Sequence, residues 1–240
     1  MKTESKNNMN WKVYSIFSSL LLFTILATAF TTSQLHQKMD ELTVKRINII
    51  EDDGTIRMVL SNKARQHSGT MDGEDSPHRV RHSGMIFFND EGDECGGLIF
   101  GATDKDGKVS SGMSITFDQY KNDQVIQILN QELVDGDKIN SSRGFMINDY
   151  PGGSNLMKTM KDLEYAKAIE DNEERKARMV QIQKESGVRS LMFLGKTRGN
   201  SNGLFLNDLD GNPKLMIYVD QNGDPKIQTF DENQEIKDFL

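Results

Sequence analysis

Apolar and polar side chains alternate along several stretches of this chain. In TIRMVLSN, Ile56, Met58 and Leu60 fall on one side. Met113, Ile115 and Phe117 do so in SGMSITFD, and Leu215, Ile217 and Val219 in PKLMIYVD. Period-two alternation over such lengths predicts half-buried strands. The connections share one grammar: Glu51 to Gly54, Asn89 to Gly92, Asp104 to Gly107, Asp208 to Gly211 and Asp220 to Gly223 each begin with an acid or amide and end on glycine. That order suits a type I turn closed by a left-handed residue, with Gly54, Gly92, Gly107, Gly211 and Gly223 as structural turn residues. Asp231-Glu-Asn-Gln234 continues the series. Strand, four-residue turn, strand predicts an antiparallel meander.

Two stretches depart from this pattern. Residues 154–184 carry no strand signal, with six acids against seven bases and few apolar positions. They predict one inserted, charged, solvated helix capped at Ser154 and ended by Gly187. Its more apolar part, LMKTMKDLEYAKAIE, is the candidate surface for a protein partner. Residues 66–83 (QHSGTMDGEDSPHRVRHS) read as a polar loop over one end of the sheet.

The N-terminus follows a third pattern. No charge occurs from Val13 to Leu35, and VYSIFSSLLLFTILATAF is long enough at about 27 Å to match a hydrocarbon layer of roughly 30 Å. Lys2, Lys6 and Lys12 precede it, and Trp11 stands where an interfacial aromatic belongs. The expectation is a cytoplasmic tail 1–12, a transmembrane anchor 13–32, a stalk 33–42 and an extracytoplasmic β domain 43–240. A signal peptide cleaved after Ala27-Thr28-Ala29, leaving a secreted or periplasmic protein, is the alternative.

Composition narrows the function classes. A net charge of -7 opposes a nucleic-acid footprint, which needs clustered Lys and Arg. One cysteine among 240 residues excludes an intramolecular disulfide. No Walker A, GxGxxG, HExxH or GxSxG pattern occurs, and no cofactor is implied. The loop NDEGDECGG fails as an EF-hand, since the sixth residue after Gly92 is Leu98 rather than a glutamate. Cys95 follows Asp93 and Glu94, which raise a thiol pKa, so it reads as a lone packed thiol. His67, His78 and His82 share the polar loop. The last two are four residues apart, the only candidate metal spacing, but Pro77 precedes them and Arg79 and Arg81 lie between.

The stretches LTVKRINIIEDDGTIRMVLSNKAR, GMIFFNDEGDECGGLIFG and FDQYKNDQV resemble a family of uncharacterised bacterial membrane-anchored, β-rich proteins. The resemblance covers roughly Leu42 to Leu129 and implies an anchored β domain. It carries no activity and therefore no functional residues.

The fold expected is mainly β: an antiparallel meander closed as a barrel, or folded as a two-sheet sandwich, to hide its edges. The function expected is non-enzymatic protein interaction in the cell envelope. One alternative is a carrier holding a small apolar ligand inside the barrel, suggested by Phe87, Phe88, Phe100, Met113, Phe117, Phe145, Met192 and Phe193. Another is a hydrolase-like enzyme built on His78, His82 or Cys95.

Overall fold

A computed structural model describes residues 5–30, 39–76 and 79–239. Its contacts divide the chain into two units at Thr43/Val44. The first unit contains one continuous helix, α1 (Ser5–Phe30). Side chains described on it run from Trp11 to Leu26, about 24 Å of helix, and all are exposed. Among the described residues no helix is long and apolar enough to cross a membrane. The expected stalk lies largely outside the described residues.

The second unit is built on one sheet of twelve antiparallel strands. β1 (Arg46–Ile50) and β2 (Ile56–Ser61) form the first hairpin. A long excursion follows, with a 3-10 turn at Lys63–Arg65 and a miniature hairpin of β3 (Thr70–Met71) and β4 (Glu74–Asp75). The main sheet resumes with β5 (Ser83–Phe88), β6 (Glu94–Lys105), β7 (Lys108–Asp118), β8 (Gln124–Asp135) and β9 (Lys138–Asp149). After two helices come β10 (Arg189–Lys196), β11 (Asn202–Asn207), β12 (Pro213–Val219), β13 (Pro225–Phe230) and β14 (Ile236–Asp238).

Every main-sheet strand pairs with its neighbour in this order, and β1 does not meet β14. The expected meander is present, but neither the barrel nor the sandwich is: the sheet stays open. Its edges are blunted instead by brevity, β1 having five residues and β14 three. Pro213 and Pro225 each open a strand, where a missing N–H costs least.

The expected single inserted helix is two, α2 (Leu156–Lys167) and α3 (Asn172–Ser186). Two local hydrogen-bond sets explain the break. The Ala168 N–H closes α2 onto Glu164, Tyr165 and Ala166 carbonyls, and Asp171 caps α3 by accepting from the Glu174 N–H at 2.8 Å. Arg175 donates back to the Ile169 carbonyl and fastens the corner. α2 itself is capped by Asn155, one residue after the expected Ser154.

The excursion between β2 and β5 does more than close one end of the sheet. It leaves and returns at the same end, yet Asp72 near its tip bonds Lys121 in the turn at the opposite end. It therefore runs the length of the short strands and covers one face of them. Beneath it lies the core cluster, Val59, Ile86 and Phe88, with Ile56 and Ile99 packed against it. Alternation along β5 follows directly: Gly84, Ile86 and Phe88 are buried under the excursion, while Met85 and Phe87 on the other face are not.

Candidate functional site

The two faces of the sheet are defined by register, because directly paired residues share a side. On the covered face, the row through Val59 continues as Ile86, Gly97, Thr116, Gln127 and Met146, a mixed set. Further along, Phe205 lies 6.0 Å from Phe193 and 5.6 Å from Tyr218, ring centroid to centroid. Between these regions lies a trough of about 320 Å³ on β6 to β9. Gly101 and Gly112 form its floor, and Ser110, Ser114, Gln131, Asn140 and Ser142 contribute hydroxyls and amides. His82 lies over Gly101, at the place a side chain there would occupy.

The opposite face is different in kind. One row runs through Ile47, Leu60, Met85, Leu98 and Ile115 from β1 to β7. It continues through Ile128, Phe145, Leu194, Leu204, Ile217 and Ile227 to β13. Eleven adjacent strands thus each contribute an apolar side chain, and none of the eleven is buried. Ile128 and Leu194, in the middle, are each 51% exposed. The next row, from Ile49 through Met58, Phe87, Phe117, Ile126, Ile147, Met192 and Leu206 to Leu215, is apolar apart from Gly96. The three alternating stretches singled out in the sequence place Met58 and Leu60, Met113, Ile115 and Phe117, and Leu215, Ile217 and Val219 on this face; Ile56, beyond an irregularity in the β1–β2 register, packs against the covered core instead. The eight Phe and Met residues noted as carrier candidates divide between the faces: Phe88 and Phe193 go to the covered one, the others to the apolar one. Because the sheet is open, they enclose no barrel lumen.

A polar hub ties one end of the sheet together. Lys121, in the β7–β8 turn, donates to Asp93 at 2.5 Å, Glu91 at 2.6 Å and Asp72 at 2.9 Å. Asp93, Glu91 and Asp72 hold its ammonium charged far above an ordinary lysine's range. Lys121 holds Glu91 and Asp72 below the usual carboxylate range in return. Asp93 is 1% exposed, so this ammonium is what makes its burial tolerable. The Lys121 carbonyl accepts from the Leu156 N–H, Asn122 donates to Ser154 Oγ at 2.7 Å, and Asn155 donates to Asp72 at 3.1 Å. Two sheet turns, the covering excursion and the start of α2 are thereby joined.

Beside the hub, Arg81 donates both terminal nitrogens to Glu94, at 2.8 and 2.6 Å. Asp118 and Asp123 line a cavity of about 50 Å³ with Glu94 and Arg79, room for a water or two but not a substrate. Burial, then the Glu94 and Asp123 carboxylates, push Asp118 up to about 7. Burial and the same aspartates push the Tyr150 hydroxyl up to about 12.

Among the described residues, those singled out for chemistry are not assembled into a reaction centre. Cys95 is half-buried at a bulge in β6, and burial, Asp118 and Glu94 raise its thiol. His67 meets Phe88 edge-on at 4.8 Å, accepts from the Gly69 N–H through Nδ1, and is lowered by burial. His78 lies outside the described residues. Among the described residues no group of three His, Cys, Asp or Glu side chains is placed to hold a metal ion. Gly54, Gly92, Gly107, Gly211 and Gly223 all take positive φ. The Asp104–Gly107 turn departs from the shared grammar: Lys105 pairs directly with Lys108, leaving a two-residue loop in which Asp106 and Gly107 both have positive φ.

The sequence reading missed Lys121, Asp93 and Asp118: Asp118 and Lys121 belong to the β7–β8 connection and Asp93 to the β5–β6 turn, and only tertiary structure brings the two turns together. Comparisons with protein-family models, curated proteins and solved structures return no match for this chain.

Proposed function

We propose that this chain is a single-pass membrane protein whose β unit, outside the cytoplasm, works by protein contact in the cell envelope. The observation that supports it is the apolar face, where one row of aliphatic and aromatic side chains crosses eleven strands and a second, broken only at Gly96, crosses ten, none of the first row being buried. Contiguous apolar surface of that extent marks an interaction site on a soluble body. Anchoring rests on the sequence, where Val13 to Leu35 is free of charge and follows three lysines. The two helices offer a second, smaller contact surface through Tyr165 and Val180, which are 77% and 69% exposed.

A photo-crosslinking residue at Leu194 in the living cell tests the reading, with Leu133 on the other face and Tyr165 on α2 as comparisons. Discrete adducts at Leu194 but not at Leu133 are expected. An adduct pattern identical at both sheet positions would overturn the role of the apolar face, and adducts only at Tyr165 would move it to the helices.

A further inference from the structure

We infer that the occupant of the apolar face is a second copy of this chain, packed sheet against sheet about a two-fold axis. This names the partner for the reading above and rests on it. Three observations favour a copy over an unrelated protein.

The first is area. The chain exposes 17887 Å², against about 11,000 Å² for a compact monomer of its 27.2 kDa mass. The exposed side chains of α1 and the half-exposed side chains of the apolar face both belong to that surface. Strands about 4.8 Å apart, with same-face residues about 6.8 Å apart, give the two apolar rows roughly 700 Å² per copy. That is close to the roughly 800 Å² per partner of a standard stable interface. Phe100, Met113 and Val219 extend it at the two ends of the adjoining row, whose middle is polar: Asn130, Arg143, Lys196 and Asn202.

The second is self-complementarity. A two-fold contact must match a surface with itself. A row that is apolar from Ile47 to Ile227 meets apolar side chains wherever its own reversed copy is laid. It carries no charge that would face its own image. Of the charges nearest the middle of the face, Arg143 pairs with Glu132 at 2.7 Å, and Lys196 beside it turns its ammonium to Ser141 and Asn200.

The third is composition and shape. Interfaces between unlike proteins concentrate their energy in Trp, Tyr and Arg anchors, and these two rows contain none. Aliphatic surface resembling a core cut in half is the mark of permanent homodimers. Both copies carry the same right-handed twist, so their faces match when the strands run within about 30° of one another, at a separation of about 10 Å. The two-sheet sandwich expected from the sequence is then completed between chains rather than within one.

The test is the mass of the protein part of the full chain in detergent micelles, measured by light scattering from about 1 to 100 µM. The dimer is expected, at twice 27.2 kDa. Ile128→Glu with Leu194→Glu should weaken the dimer at least a hundredfold, while Leu133→Glu on the other face should leave it intact. Both substituted positions of the pair are half exposed, and circular dichroism checks their folding. If the pair does not fold, Leu194→Cys in a Cys95→Ser background decides. It should cross-link to a copy of itself under mild oxidation, and Leu133→Cys should not. A monomer across the range, a dimer unmoved by the glutamate pair, or equal cross-linking at both positions would overturn the second copy. A monomer that still yields face-specific adducts with another protein in cells overturns only this inference. A monomer without such adducts overturns the proposed function as well.

Discussion

Asp118 shows how a single position can be read only in its surroundings. A lone aspartate before a turn promises a solvated carboxylate, yet burial beside Glu94 and Asp123 pushes it up to about 7. The folded state then holds a proton that the unfolded chain releases near pH 4. Its contribution to stability is therefore full below about pH 4 and is lost as pH rises through 7. Asp118→Asn should remove that loss. Its unfolding free energy should exceed the parent's by on the order of 1–3 kcal/mol at pH 8, and the two should converge near pH 4, as followed by denaturant melts. Lys121 carries the opposite lesson. Lys121→Met leaves Asp93 buried without its ammonium, so thermal melting should fall by more than about 5 °C and protection from hydrogen exchange should drop at residues 69–76 and 154–160 together. Loss confined to the 119–123 turn would count against the hub. The raised Cys95 thiol should react with iodoacetamide more slowly at pH 8 than a free cysteine does.

Among the elements, strands and turns were legible because their signals are local. Alternation marked Met113, Ile115 and Phe117 as one face, and register keeps them on one face. The break in the helical insertion was not legible in the same way. Charge balance over 154–184 suits one long helix, and Asp171 looks like one more surface acid until it is found capping α3. Asp171→Ala should cost about 1 kcal/mol and raise exchange at the first turn of α3, leaving α2 unchanged. Equal loosening of both helices would show that the corner, and not the cap, holds them. The Asp106-Gly107 turn likewise follows from pairing. Lys105 and Lys108 face each other directly, and only a two-residue loop with positive φ at both positions closes that gap.

For the whole molecule, the anchor and the fate of the sheet's faces are the decisive questions. An uncleaved anchor predicts an intact mass that keeps the first thirty residues in protein extracted from membranes. A product beginning after Ala29 would indicate the cleaved alternative. Sheet closure was the expectation that failed, and the reason is physical. Twelve meandering strands must protect their edges somehow, and closure is one solution. Short terminal strands, strand-opening prolines and a covering excursion are another. Nothing in the alternation of a strand distinguishes them, since both require the same apolar side. By itself the sequence determined the strand pattern, the turn glycines, the charged insertion and the apolar N-terminal stretch, because each is written in neighbouring residues. Only the tertiary structure decided that the sheet stays open, that the described residues between β2 and β5 cover one face, that Lys121 gathers three carboxylates from two separate segments, and that the apolar rows face outward. Those features depend on which distant residues meet, and period two along a strand carries no information about what lies across from it.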